Sequence, residues 1–182
     1  LAAMKIGKTR FARIFETFYI YVVRCIPSII LLFVVYYGLP FRDLPSAVFV
    51  IITLTLFFSA SMAEVFRSAY NSIPKGQTEA ALTSGLSSFQ ALFRIVIPQA
   101  AVSAIPNFTN SLVSLLKEGS LAYTIGLIDV MGQGQLVIAR NNGSYSLEVY
   151  LALFVVYWGL ITLVEKVFRA LEAKLSFSKK SR

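Results

Sequence analysis

The sequence contains no histidine and a single cysteine, Cys25. That rules out an internal disulfide and any Cys/His metal cluster. It also leaves little for nucleophile–base chemistry, which needs several titratable side chains converging on one place. Charge is scarce too: charged residues make up 14% of the 182, where a soluble domain carries about 25%. Acidic residues are the rarer sign, nine against seventeen basic, for a net charge of +8. The basic residues lie between and beyond apolar blocks and not in a stripe interleaved with aromatics, so nucleic acid is not implied as a partner. What takes their place is apolar: 57% of the residues are hydrophobic and the mean hydropathy is +0.70. The core of a soluble complex would be apolar as well, but these residues come in blocks of membrane length.

Four blocks are long and apolar enough to cross a bilayer, at roughly 18–39, 47–66, 95–116 and 147–164. The connections set the orientation. Thirteen Lys and Arg residues fall in the N-terminal flank, the 67–94 link and the C-terminal tail. Only Arg42, Lys117 and Arg140 fall in the other two links, and Arg24 lies inside a span. Four spans put both ends and the 67–94 link on one side, which the charge bias makes the cytoplasm, with lipid around the spans. The outer link 120–146 combines helically spaced apolar residues with Asp129, Gln133, Gln135, Arg140 and four glycines. It reads as an outer amphipathic helix or a re-entrant segment packed on protein. A fifth span there would reverse the side of the C-terminal tail.

Two nucleotide-site fragments fail on inspection. Gly7-Lys8-Thr9 ends like a phosphate-binding loop, but Ala2 holds the position of the first glycine and no strand precedes it. Gly132-Gln133-Gly134 starts like a dinucleotide fingerprint, but Val137 stands where the last glycine belongs. The chain is expected to bind no nucleotide or other cofactor and to be no enzyme.

The 67–94 link carries the most specific pattern. Pro74 starts a helix candidate at 77–84, with Glu79 in its first turn, where the helix dipole favours negative charge. Ala80 and Ala81 are small enough for a partner to come close, and Gly85 suits a helix end. A second short helix leads to Pro98 at the membrane face. The order Glu79-Ala80-Ala81, three residues, Gly85, nine residues, Ile95-x-Ile97-Pro98 resembles the EAA loop of bacterial ATP-binding-cassette (ABC) importer permeases, with Ile97 where the family usually has Leu. A lone Glu-Ala-Ala would mean only a polar loop with a helical turn; the added Gly and Ile-x-Ile-Pro carry the likeness.

The resemblance covers nearly the whole chain. Arg24 and Pro27 match the family's Arg-Gly-x-Pro segment, although Cys25 and Ile26 depart from it. Glu64, Arg67, Gly76 and Gln77 match the polar amino-acid branch. So do Lys117, Ser120 and Leu121, with Glu118 conservative and Gly119 replacing Thr. Residues 127–158 are similar in a general way to cystine-type permeases.

The resemblance implies an all-α polytopic bundle of the type I importer kind and, since that branch usually has five spans, a further span before Leu1. It implies a permease paired with itself or a homologue in a bacterial cell membrane, with a pair of ATP-binding subunits inside and a solute-binding protein outside. ATP and Mg would sit on the ATP-binding subunits. Gln77, Glu79, Ala80, Ala81, Gly85 and Pro98 would form the coupling surface on which those subunits push, and the substrate would be a polar amino acid, with cystine a candidate. The rival is a secondary transporter or channel acting alone on a small polar solute; it would need coupling charges deep in the spans or inverted repeats.

Polar residues inside the spans are the candidates for a substrate path. Asn107 and Asn110, with Thr109, Ser111 and Ser114, follow Pro106, which frees a backbone carbonyl and can turn the helix toward a cavity. Hydrogen bonding between helices would explain them equally well. Lys117 and Glu118 would either meet the charged ends of an amino acid or mark the outer interface. Arg24 reads as snorkelling to the inner face or pairing with Glu16. Glu64 and Arg67 read as a pair three residues apart on one helix face. Thr53, Thr55, Ser59 and Ser61 read as packing contacts.

Overall fold

The computed structural model describes residues 10–41 and 43–180, with the side chains of 14–41 and 43–175. All regular structure in these residues is helical. Helix α1 (Arg10–Cys25) stops at Ile26-Pro27, and α2 (Ser28–Gly38) begins with Pro27 as its N-cap. Helix α3 (Ser46–Asn71) starts after Pro45, and α4 (Lys75–Thr83) after Pro74. The one-turn α5 (Ser88–Ala91) opens with a capping box between Ser87 and Gln90. A wide turn with i→i+5 hydrogen bonding, Leu92–Val96, continues into α6 (Ile97–Gly119). A 3₁₀ segment, Ser120–Ile125, leads to α7 (Val130–Arg140), whose N-cap Asp129 accepts from Gly132 N–H at 2.8 Å. Helix α8 (Ser146–Lys180) closes the chain.

The apolar block at 18–39 is not one continuous helix. It lies across α1 and α2, which are bent by 105° at their break. Pro27 is the physical reason: it has no N–H to donate, its ring opposes the carbonyl four residues earlier, and it pushes Ile26 out of the helical region. Eleven residues of α2 rise only about 16 Å, short of the roughly 30 Å of bilayer hydrocarbon. The continuous helices of spanning length and composition are Ser46–Asn71, Ser88–Ile125 and Ser146–Leu175. In the 120–146 link, α7 is a short helix with polar turns on either side.

Helix α3 is the spine, packed on α6, α2 and α1, and α8 packs on α6 and α7. Three apolar clusters run along α3. Leu32, Val35, Phe49, Val50, Ala122 and Ile125 form one, Ile20, Val23, Ala60 and Ala63 the next, and Val65, Ala69 and Ala104 the last. Alanines at 60, 63, 69 and 104 let helices approach closely, as packing in lipid requires. Gly134 serves the same end between α7 and α8: a Cβ there would come within 2.7 Å of Leu153 Cδ1. Much of α8 remains uncovered, with Phe154, Trp158 and Leu163 more than 60% exposed. Such a surface belongs against lipid or another apolar chain.

Candidate functional site

Two features stand out, a short helix beside the bundle and a polar cleft within it, joined by α6.

The short helix is α4. It begins at Lys75, two residues earlier than the sequence pattern suggests, because Pro74 sets its N-cap. Glu79 is therefore the fifth helical residue, outside the first turn, and the dipole contributes little to it. Glu79 and Ala80 are exposed, whereas Ala81 is the one buried residue of the helix. The expectation that both alanines admit a partner is thus corrected. Ala80 faces out, and Ala81 is small because α4 lies close on α5 and the wide turn of its own chain. The helix ends as the glycine suggests. Gly85 takes φ +85°, its N–H donates to Leu82 O, and Leu86 N–H donates to Ala81 O. That double closure satisfies the terminal carbonyls and needs a left-handed residue. Gln99 Nε2, on the first turn of α6, donates to Gln77 Oε1 at 3.4 Å and to Ile95 O at 3.0 Å. Pro98 lies exposed in the first turn of α6, directly after the wide turn, and offers no N–H to the helix that runs through it. So α4 is tied to α6 by packing against Leu92–Val96 and by the Gln77–Gln99 contact.

The cleft lies where the end of α1 meets α3 and α6. One cavity of about 300 Å³ is lined by Arg24, Ser61, Glu64, Ser68, Asn107, Asn110 and Ser111, with Val65. A second, of about 260 Å³, shares Arg24, Ser61, Asn110 and Ser111 and adds Ser114, Phe57 and Phe58. The structure thus brings Asn107, Asn110 and Ser114 onto one polar surface. Thr109 is not on it: it is buried and bonds back to Ile105 O at 2.8 Å. Lys117 and Glu118 are not on it either. Glu118 Oε2 accepts from Ser28 Oγ, which ties the end of α6 to the start of α2. Lys117 stands exposed in the last turn of α6.

Four polar members of this surface are not path candidates by sequence: Arg24, Ser61, Glu64 and Ser68. Ser61 is grouped there with packing residues. The grouping suits Thr53, which bonds Phe49 O, and Ser59, which meets Tyr19 Oη at 2.7 Å, but Ser61 lines both cavities. Arg24 does not pair with Glu16. Eight residues separate them, about 12 Å along a helix and 80° around it. Glu16 is buried at 1% exposure, and neither carboxylate oxygen has a hydrogen-bond partner. Arg24 instead reaches the cleft. The signal was present, since a charge inside an apolar block is a functional candidate by default. The Glu64–Arg67 pair forms as its spacing suggests, and both residues line a neighbouring cavity of about 480 Å³ with Arg24 and Cys25.

Comparison with known proteins agrees with this architecture. The chain is 41% identical over 166 residues to the L-cystine transport system permease protein TcyL of Bacillus subtilis (strain 168), covering 86% of this chain and 69% of that protein. It is 32% identical over 179 residues to the L-cystine transport system permease protein TcyB of the same organism, covering 96% and 75%. Its fold is similar to that in the crystal structure of an amino acid ABC transporter with histidines, at TM-score 0.86 and 24% identity, covering 95% of this chain and 81% of that one. The family model for the binding-protein-dependent transport system inner membrane component matches residues 1–177. This chain, a multi-pass bundle of apolar helices with a short helix braced against its own polar-lined core helix, belongs to the family of binding-protein-dependent transport system inner membrane components.

Proposed function

We propose that this chain is the translocating subunit of an ATP-driven importer of polar amino acids in a bacterial cell membrane, with cystine the leading candidate substrate. The observation that carries the reading is the direct structural path from α4 to α6. The helix presents Glu79 and Ala80 outward, is closed by Gly85, and is braced on the turn that leads into the helix bearing Asn107 and Asn110. A push on α4 therefore reaches the cleft through one packed element. The names of the cystine permease relatives favour the substrate class. Family membership favours this reading over a transporter or channel acting alone.

In this reading a pair of separate ATP-binding subunits, holding ATP and Mg, dock on Gln77, Glu79, Ala80 and Gly85. Pro98 marks where their movement enters the membrane, and Ala81 acts from behind by seating the helix. A second permease subunit, identical or homologous, completes the pathway, and a solute-binding protein delivers substrate outside. ATP binding draws the two docking helices together and turns the cleft outward; hydrolysis resets it. Asn107, Asn110 and Ser114 contribute to the path. Lys117 and Glu118 are assigned instead to the outer end of α6, since Glu118 is engaged by Ser28.

The test is co-purification of an ATPase subunit with the tagged chain, followed by ATP-dependent uptake of labelled L-cystine in proteoliposomes. Charge reversal at Glu79 is expected to release the ATPase subunit while leaving the chain in the membrane. Retention of the ATPase by Glu79→Lys, with normal uptake, would remove α4 from the docking surface.

A further inference from the structure

Arg24 borders three polar clefts among the described residues, of about 260, 300 and 480 Å³. Among the described residues its guanidinium has neither an ion-pair partner nor a hydrogen-bond acceptor. Neither the carboxylate near it in sequence nor the one near it in space serves it. Glu64 is held by Arg67, and Glu16 is buried on the side of α1 that carries Ile20 and Val23. Arg24 is exposed to the cleft, and an unpaired guanidinium within an apolar block is a functional candidate whose natural partner is an anion. Arg24, Glu64 and Arg67 together leave the cleft with one net positive charge. The remaining polar lining, Ser61, Asn107, Asn110 and Ser111, is neutral and able to donate or accept. The asparagine oxygens offer acceptors for an ammonium group.

We propose that Arg24 is the anchor for the α-carboxylate of the transported amino acid, holding it by a two-pronged guanidinium–carboxylate contact at the junction of α1, α3 and α6. The inference rests on the importer reading above and deepens it. Arginine suits this role because its planar fork matches a carboxylate and stays charged in a desolvated site. The bend at Pro27 contributes: it ends α1 at Cys25, so Arg24 lies in the last turn of a helix, where it lines the cleft with residues of α3 and α6.

Cys25 is the only thiol in the chain, is exposed, and lines the 480 Å³ cavity beside Arg24. Its labelling by a small maleimide reports occupancy of the cleft without reference to transport. The experiment uses the complete transporter in proteoliposomes, reading label on this subunit alone. The probes are L-cystathionine, a thioether relative of cystine that cannot exchange with the thiol, and its dimethyl ester, which lacks the carboxylate charge. Cystathionine is expected to slow labelling of the unaltered protein about tenfold, the effect of one charge-assisted contact, and the ester to leave it unchanged. Arg24→Gln should lose the protection. Equal protection by acid and ester, no protection by either, or full protection in Arg24→Gln would overturn the inference. The ester arm needs no variant, so misfolding cannot obscure the answer. ATP-driven uptake of L-cystine or L-glutamine by the unaltered protein is measured in parallel. If neither is taken up, the amino-acid importer reading itself falls; if uptake is normal but the labelling outcomes fail, only the role of Arg24 falls.

Discussion

The short helix α4 and the cleft are built on different principles. Residues 74–99 form α4, α5 and the wide turn almost entirely from neighbours in sequence: a proline N-cap, a double carbonyl closure at Gly85, a Ser87–Gln90 capping box and a Gln77–Gln99 contact. The cleft joins Arg24 from α1, Ser61 and Glu64 from α3, and Asn107 and Asn110 from α6, residues up to 86 positions apart. The first is closed by its own local contacts; the second is an assembly that exists only while three helices keep their register. The difference suits the roles proposed for them, since a lever must hold its own shape while a pathway must change with the helices around it.

Five measurements would break or sharpen this contrast. The largest effect is expected at Gly85. Any side chain at φ +85° costs about 1–2 kcal/mol, and aspartate adds a charge at the docking face. With Gly85→Asp, uptake is expected to fall about tenfold or more, while the chain still inserts; normal uptake would show that α4 does not need this closure. Next is Asn110→Leu, which removes a hydrogen-bonding group shared by two of the cavities. It is expected to reduce uptake about fivefold, within the range for one lost polar contact, without releasing the ATPase subunit. Loss of the ATPase instead would mean that the cleft and the lever are not separable.

The third measurement concerns stability. Glu16 is buried with both oxygens unsatisfied, which costs about 1–3 kcal/mol. Glu16→Leu is expected to raise the thermal midpoint of the purified protein and leave uptake intact. A lower midpoint would mean that a group from another chain satisfies Glu16 in the assembled transporter. Fourth, Ser87→Ala removes one half of the capping box, worth about 1 kcal/mol locally. It should speed hydrogen exchange in residues 88–91 and spare the cleft. The smallest effect is expected from Gln99→Ala. Its 3.4 Å contact with Gln77 is long, so a change of about 0.5 kcal/mol or less in coupling is expected, read as the ratio of ATP hydrolysed to substrate moved. A large change there would show the contact to be the main link between lever and pathway.

How much could be read in advance follows the same division. Glu79-Ala80-Ala81 with Gly85 could be found because helix caps and docking patterns are written in adjacent residues. Even there, the direction in which Ala81 faces depended on where α5 and the wide turn come to lie. The asparagines on α6 could be suspected from their polarity beside Pro106, yet the partners that make them a surface could not. Arg24 was noticed as a charge in an apolar block, but Glu16, the partner suggested by proximity in sequence, faces another way. The break at Pro27 was within reach of sequence reasoning, because a proline inside a helix removes a donor. Hydropathy alone runs straight across it, as apolar content is blind to direction.

By itself, the sequence determined that this chain is a bundle of apolar helices of spanning length and that a short helix stands between two of them. Those properties arise from hydropathy and capping, which act within a few turns of chain. Only the tertiary structure decided that α1 and α2 bend by 105°, that Ala81 turns inward, and that Arg24 lies over Asn107 and Asn110. Those depend on how helices distant in sequence pack, and packing in an apolar medium is set by the shapes of small residues and the few polar groups they bring together.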